Sequence, residues 1–116
     1  VSNAHALKYQ SWYQKKGHGK RPVIEGAKCH GKTLSPFTGF YPEQLDALAA
    51  LWEGVSFACG IPLELPKTKN TVDAECKANT FKGFCNHYHL TSRKIDCAGL
   101  DNEAILRKAL SLRQRR

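Results

Sequence analysis

Between Pro42 and Cys59 apolar residues recur at helical spacing: Leu45, Leu48, Ala49, Trp52 and Val55, with Leu51 beside them. Pro42 suits a first helical turn, and Glu43 suits its positive end. Gly60 supplies a stop, and Pro62 prevents continuation. This spacing predicts a helix over 42–59. An apolar stripe of this kind must be covered, so the rest of the chain has to supply a partner surface. One partner is legible near the other end. Asp101 reads as an N-cap with Glu103 in the first turn, and Ile105, Leu106, Ala109 and Leu110 follow at helical spacing, which predicts a second helix over 102–112.

Elsewhere the periodicity is weak. Residues 1–10 read as an extended entry or the end of a strand. Residues 11–39 are rich in Gly, Lys, His and Pro and read as a long loop or insertion. Residues 63–82 read as a polar loop. Phe81 to Leu90 carries aromatic and apolar residues and reads as a short buried strand. With 116 residues, 41% hydrophobic content, two Trp, four Tyr and five Phe, the chain is a single folded domain and not a disordered one. No apolar run approaches the roughly 20 residues of a membrane helix. No basic-then-apolar signal peptide is present in this chain.

Eighteen Lys and Arg stand against ten acidic residues, for a net charge of +8. Lys15, Lys16, Lys20 and Arg21 flank a Gly/His segment. Arg107, Lys108, Arg113, Arg115 and Arg116 crowd the C-terminus, and 111–116 read as a basic tail. Such a balance favours an anionic partner (nucleic acid, an acidic membrane face or an anionic cell-wall polymer), or else it is solvated surface charge. Nucleic acid is the weaker expectation, because the interleaved aromatics of a base-stacking surface are not evident. Of the five cysteines, Cys76 and Cys85 bracket a short segment and can bridge if the chain is exported, whereas Cys59 is expected to be a buried thiol.

The chemistry concentrates in Cys85-Asn86-His87-Tyr88-His89-Leu90-Thr91-Ser92-Arg93-Lys94-Ile95-Asp96-Cys97. Two His, a Cys and an Asp lie close together with a Lys between. On a strand, His87 and His89 share one face. Imidazole and thiolate are preferred zinc ligands, and a catalytic zinc keeps three protein ligands and an open position. Two partly exposed histidines and a structural thiol are the alternative.

The stretch from Gly83 to Gly99 resembles the C-terminal zinc motif of the N-acetylmuramoyl-L-alanine amidase family, which includes phage lysozyme-like amidases and peptidoglycan recognition proteins. That motif is a Gly-His pair, a loop with a Lys, then Asp-Cys-Pro-Gly; here Asn86 stands for the Gly and Ala98 for the Pro. Tyr41 to Leu51 resembles the family's Gln-containing helix, and Gly60-Ile61-Pro62 the segment that ends it. The resemblance spans residues 40–110. It implies an α/β fold, a central mixed β-sheet flanked by helices, represented here by its C-terminal part. It implies Zn2+ held by His87 and Cys97, with His89 as the alternative to His87. It implies that Lys94 polarises the scissile carbonyl, with Arg93 as the alternative cation. The family's first zinc His lies on an earlier strand. His5 is placed too late for it, and His18 and His30 read as surface residues. The chain begins at Val1 and contains no Met. The expectation is therefore a single amidase-like domain lacking its N-terminal portion, with the first His supplied by a preceding segment or a second chain. The implied function is hydrolysis of the amide between N-acetylmuramic acid and L-alanine in peptidoglycan, at the bacterial cell wall, by a secreted, periplasmic or phage-delivered protein. The alternatives are a non-catalytic peptidoglycan-binding module and a basic zinc-containing nucleic-acid-binding protein.

Overall fold

A computed structural model describes residues 9–116. The elements in chain order are helix α1 (Gln10–Lys15), strands β1 (Val23–Ile24), β2 (Lys28–Cys29), β3 (Lys32–Thr33) and β4 (Phe37–Thr38), helix α2 (Pro42–Cys59), the single turn α3 (Ala74–Lys77), a 3-10 turn (His87–His89) and helix α4 (Asn102–Gln114).

Helix α2 has the predicted bounds. Its start is fixed where the Tyr41 N–H donates to the Gln44 side chain at 2.9 Å, and its end where Gly60 takes the left-handed conformation at φ 69°. Its stripe is covered by α4. Ala49, Trp52, Ile105 and Ala109 form the main core, and Leu45, Leu48, Leu65, Leu100 and Leu106 pack around it. The small Ala49 and Ala109 side chains let the two helices approach closely. Phe84 stacks on Trp52 with ring centroids 4.7 Å apart, which fastens the segment before the 3-10 turn onto the helix pair. Leu51 is exposed.

Helix α4 begins as expected, the Asp101 carboxylate accepting from the Ala104 N–H at 3.0 Å. It runs through Gln114, beyond the predicted end at Leu112. The extension has an electrostatic cause. Glu53, buried on α2, receives Arg113 Nε at 2.8 Å and two nitrogens of Arg116 at 2.6 and 2.9 Å. Arg113 also donates to Ser56 Oγ at 3.0 Å. The bonds from Arg116 and then Arg113 hold the Glu53 carboxyl down at about 2. The expected basic tail at 111–116 is thus largely helical, and two of its arginines are internal counter-ions.

Other expectations are corrected. Residues 11–39 are not a plain loop: they hold most of α1 and two antiparallel ladders, β1 with β4 and β2 with β3. Two-residue strands are too short for an alternating pattern to be read. Phe81–Leu90 is not a strand. No strand among the described residues lies alongside it, and the chain there docks closely instead. Gly83, at φ 149°, sits where an added Cβ would fall 2.5 Å from the Glu64 carbonyl oxygen, which accepts the Phe84 N–H at 2.9 Å. Cys59 is exposed at the helix end, not buried. Helices and antiparallel strands coexist, so the chain is mixed α/β in the broad sense, but a central sheet flanked by helices is absent among the described residues. No helix among them is long and apolar enough to cross a membrane. The expected extended entry at 1–10, with His5, lies outside the described residues apart from its last two positions, and of these Gln10 opens α1.

Candidate functional site

The 3-10 turn separates the two candidate histidines. Successive residues of a 3-10 helix are about 120° apart, so residues two apart diverge, whereas on a strand they would share a face. His87 is exposed and His89 is buried.

Both ring nitrogens of His89 are taken. Nδ1 accepts the Asn86 N–H at 2.9 Å, and Nε2 lies 3.0 Å from the Thr68 carbonyl oxygen. An acceptor at one nitrogen and a donor at the other define the neutral tautomer with hydrogen on Nε2. Burial lowers the pKa of the ring, in keeping with that neutral form. His89 therefore serves as a brace, with both ring nitrogens engaged in this arrangement. It joins the turn to the 68–73 loop, where the His89 carbonyl accepts the Asp73 N–H at 2.9 Å. Asp73, also buried, caps α3 by accepting from Cys76 N–H at 3.1 Å and accepts from Thr68 N–H at 3.2 Å. These bonds, led by that from Cys76, hold its carboxyl at about 2.

His87 faces the other way, and its Nδ1 lies 3.3 Å from Asp96 Oδ2. The chain around Asp96 and Cys97 is bonded to the turn. Tyr88 N–H donates to the Asp96 carbonyl at 3.3 Å, and Cys97 N–H donates to Asn86 Oδ1 at 3.2 Å. Asn86 in turn donates to Asn102 Oδ1 at 3.0 Å, and Asn102 donates to the Tyr88 hydroxyl at 3.1 Å. The residue that departs from the motif, Asn86, thereby links the His87 turn, the Cys97 backbone and the start of α4. A Gly at that position has no side chain to make these bonds. Cys97 is exposed as a residue, yet partial desolvation of its thiol, with the Asp96 charge adjacent, raises its pKa.

Lys94 lies on the exposed loop between them with Arg93. Its carbonyl accepts from His30 Nε2 at 2.8 Å, while His30 Nδ1 lies 3.0 Å from Thr71 Oγ1. His30, read from sequence as a surface residue, is instead a strut under the Lys94 loop. The carbonyl requires hydrogen on Nε2, so Nδ1 of the neutral ring accepts from the Thr71 hydroxyl. His18 is exposed, as expected.

Beside Cys97 opens a groove of about 590 Å³. Ile95, Asp96 and Cys97 form one side, and Phe37, Phe40 and Arg21 line it as well. Among the described residues no three His, Cys, Asp or Glu side chains are gathered closely enough to hold a metal ion. His87 and Cys97 fit zinc by donor type, and the Asp96 contact fits the carboxylate that commonly orients a ligating imidazole through its second nitrogen. Comparison of the chain with family models, with curated proteins and with solved structures finds no match.

Proposed function

We propose that the chain is the C-terminal part of a zinc-dependent N-acetylmuramoyl-L-alanine amidase, with the central sheet of that fold completed outside the described residues. The observation that supports this reading is the contact of His87 with Asp96, whose neighbour Cys97 lines a groove beside it, while both ring nitrogens of the second histidine are already bonded. In this reading His87 Nε2 and the Cys97 thiolate hold zinc, Asp96 orients the His87 ring, and a third donor comes from outside the described residues. Zinc supplies a nucleophile from water at neutral pH and draws electron density from a carbonyl. The groove takes the muropeptide and brings its lactyl-alanyl amide to this edge. The Lys94 ammonium stabilises negative charge on the amide oxygen as it develops. His30 fixes the backbone at Lys94 and so limits where that ammonium can reach. The excess of basic residues assists association with an anionic wall.

A second reading is a module that grips muropeptide without cutting it; that no set of three donors is gathered among the described residues favours it. Loss of turbidity of purified peptidoglycan, with and without a chelator, separates the two. Chelator-sensitive clearing supports the amidase. Binding to the wall without clearing supports the module. Clearing that survives complete zinc removal sinks the metal mechanism.

A further inference from the structure

The guanidinium of Arg21 is built into the wall of the groove, and nothing in the reading above uses it. Its position is over-determined. Arg21 lies on the Tyr13 ring at 4.4 Å from the centroid and near the Tyr41 ring at 5.7 Å. One ring belongs to α1 and the other is the N-cap residue of α2. The backbone is fixed as well, since Gln10 Nε2 donates to the Arg21 carbonyl at 2.8 Å. The next residue, Pro22, accepts the Gly39 N–H at 2.6 Å. Gly39 sits in a tight place, where an added Cβ would lie 3.1 Å from both the Pro22 oxygen and Ile24 Cδ1. The β1–β4 ladder thus closes tightly just behind Arg21.

One atom of the same guanidinium is unsatisfied. Its Nε is buried and makes no hydrogen bond. No carboxylate pairs with it among the described residues, although Glu53, Asp46 and Glu103 each have their own basic partners. Buried donors in folded proteins are nearly always satisfied, and a guanidinium supported on aromatic rings keeps its edge N–H groups aimed outward in a fixed fork. That fork matches a carboxylate in bidentate geometry. Asp96 is the acidic residue on this groove, and its Oδ2 is engaged by His87.

We infer that Arg21 is a specificity-determining residue that receives a carboxylate of the bound muropeptide. The assignment rests on the amidase-like reading of the neighbouring site. It gives the groove two chemically distinct parts: Cys97, with Asp96 that contacts His87, and a cationic fork at Arg21 for the acidic part of a peptide stem. Apolar contact in between comes from Phe37, Phe40 and Ile95.

The test is calorimetric titration of the full chain, in chelator so that no turnover occurs. The probes are N-acetylmuramoyl-L-alanyl-D-glutamate and the same compound with both glutamate carboxyls converted to amides. The expected result is binding of the acid about tenfold or more tighter than the amide, by the strength of a charge-assisted bond over a neutral one. In Arg21→Gln that preference disappears while the weak binding of the amide remains; in Arg21→Lys it is partly kept. Equal binding of acid and amide by the unmodified protein, or an acid preference that survives in Arg21→Gln, overturns the role of Arg21 and leaves the amidase reading standing. Failure to bind either probe, with circular dichroism showing an intact fold, overturns both.

Discussion

His87 Nδ1 lies 3.3 Å from Asp96 Oδ2, and this contact assigns the two faces of the imidazole. The nitrogen turned toward Asp96 is held by a carboxylate, and Nε2 is left for a ligand. In the proposed site Cys97→Ser and His87→Ala therefore abolish tight zinc binding. Asp96→Asn keeps it but weakens it by about 10- to 100-fold. Competition against a zinc-sensitive dye, using the three variants with metal and without, reads this directly. If Asp96→Asn abolishes binding while Cys97→Ser leaves it intact, Asp96 is the ligand and Cys97 is not.

His89 is predicted to matter for stability. His89→Ala leaves the Asn86 N–H and the Thr68 carbonyl without their partner in a buried place. Two such losses cost about 2–4 kcal/mol, read as a lower urea midpoint. Nitrogen shifts of the native ring identify hydrogen on Nε2 at neutral pH. A cost under about 0.5 kcal/mol, the scale of ordinary surface substitutions, means that the brace is not formed in solution.

Acid should weaken the fold through Glu53 and Asp73. Both carboxyls titrate at about 2 in the folded chain, against ordinary values of 4.5 and 3.8. The folded state then binds fewer protons than the unfolded state in this range. Their contribution is fully present above the unfolded values and disappears as pH falls through about 2. Urea midpoints measured at pH 6, 4 and 3 should decline in that order. A midpoint that holds level or rises contradicts the assigned bonds.

Cys76 and Cys85 are neighbours in space, as their spacing in the chain allowed. The buried Cys76 thiol is pushed up to about 12 by burial, by Asp73 and by its contact with the Cys85 thiol. Cys85 is exposed. Mild oxidation should join them before it joins any other pair. The cross-linked peptide would appear in a non-reducing digest. Closing this short loop should raise stability by about 2–3 kcal/mol. Preferential formation of a different bridge refutes the proximity.

The two long helices were legible because each carries its own boundary chemistry. Pro42, Gly60 and Asp101 mark ends that depend on neighbouring backbone alone. The error at the end of α4 came from a long-range partner: nothing local to Arg113 or Arg116 reveals that Glu53 waits sixty residues earlier. The misread strand at Phe81–Leu90 has a similar source. Its apolar residues are covered by α2 and by Tyr88 packing against Cys29 and Ala98, not by alternating faces of a sheet. Residue type and spacing singled out the 85–97 segment, and His87 and Cys97 within it were nominated by the resemblance. The different surroundings of His87 and His89 required the backbone, since a strand puts the two on one face whereas a 3-10 turn makes them diverge. Arg21 was visible only as one of several basic residues. Its distinction lies in Tyr13 and Tyr41, which the chain brings to it from either side.

The Glu53 cluster has a mechanical consequence. The final turn of a terminal helix ordinarily frays first, since its carbonyls have no successors. Here the guanidinium groups of Arg113 and Arg116 grip the middle of α2, and Arg116 also lies 4.0 Å over the Phe57 ring. Pulling on the end of α4 therefore loads a bond network anchored three turns inside another helix. The backbone amides of its last turn should exchange with solvent on the timescale of the helix pair opening as a unit, not on that of an unravelling end.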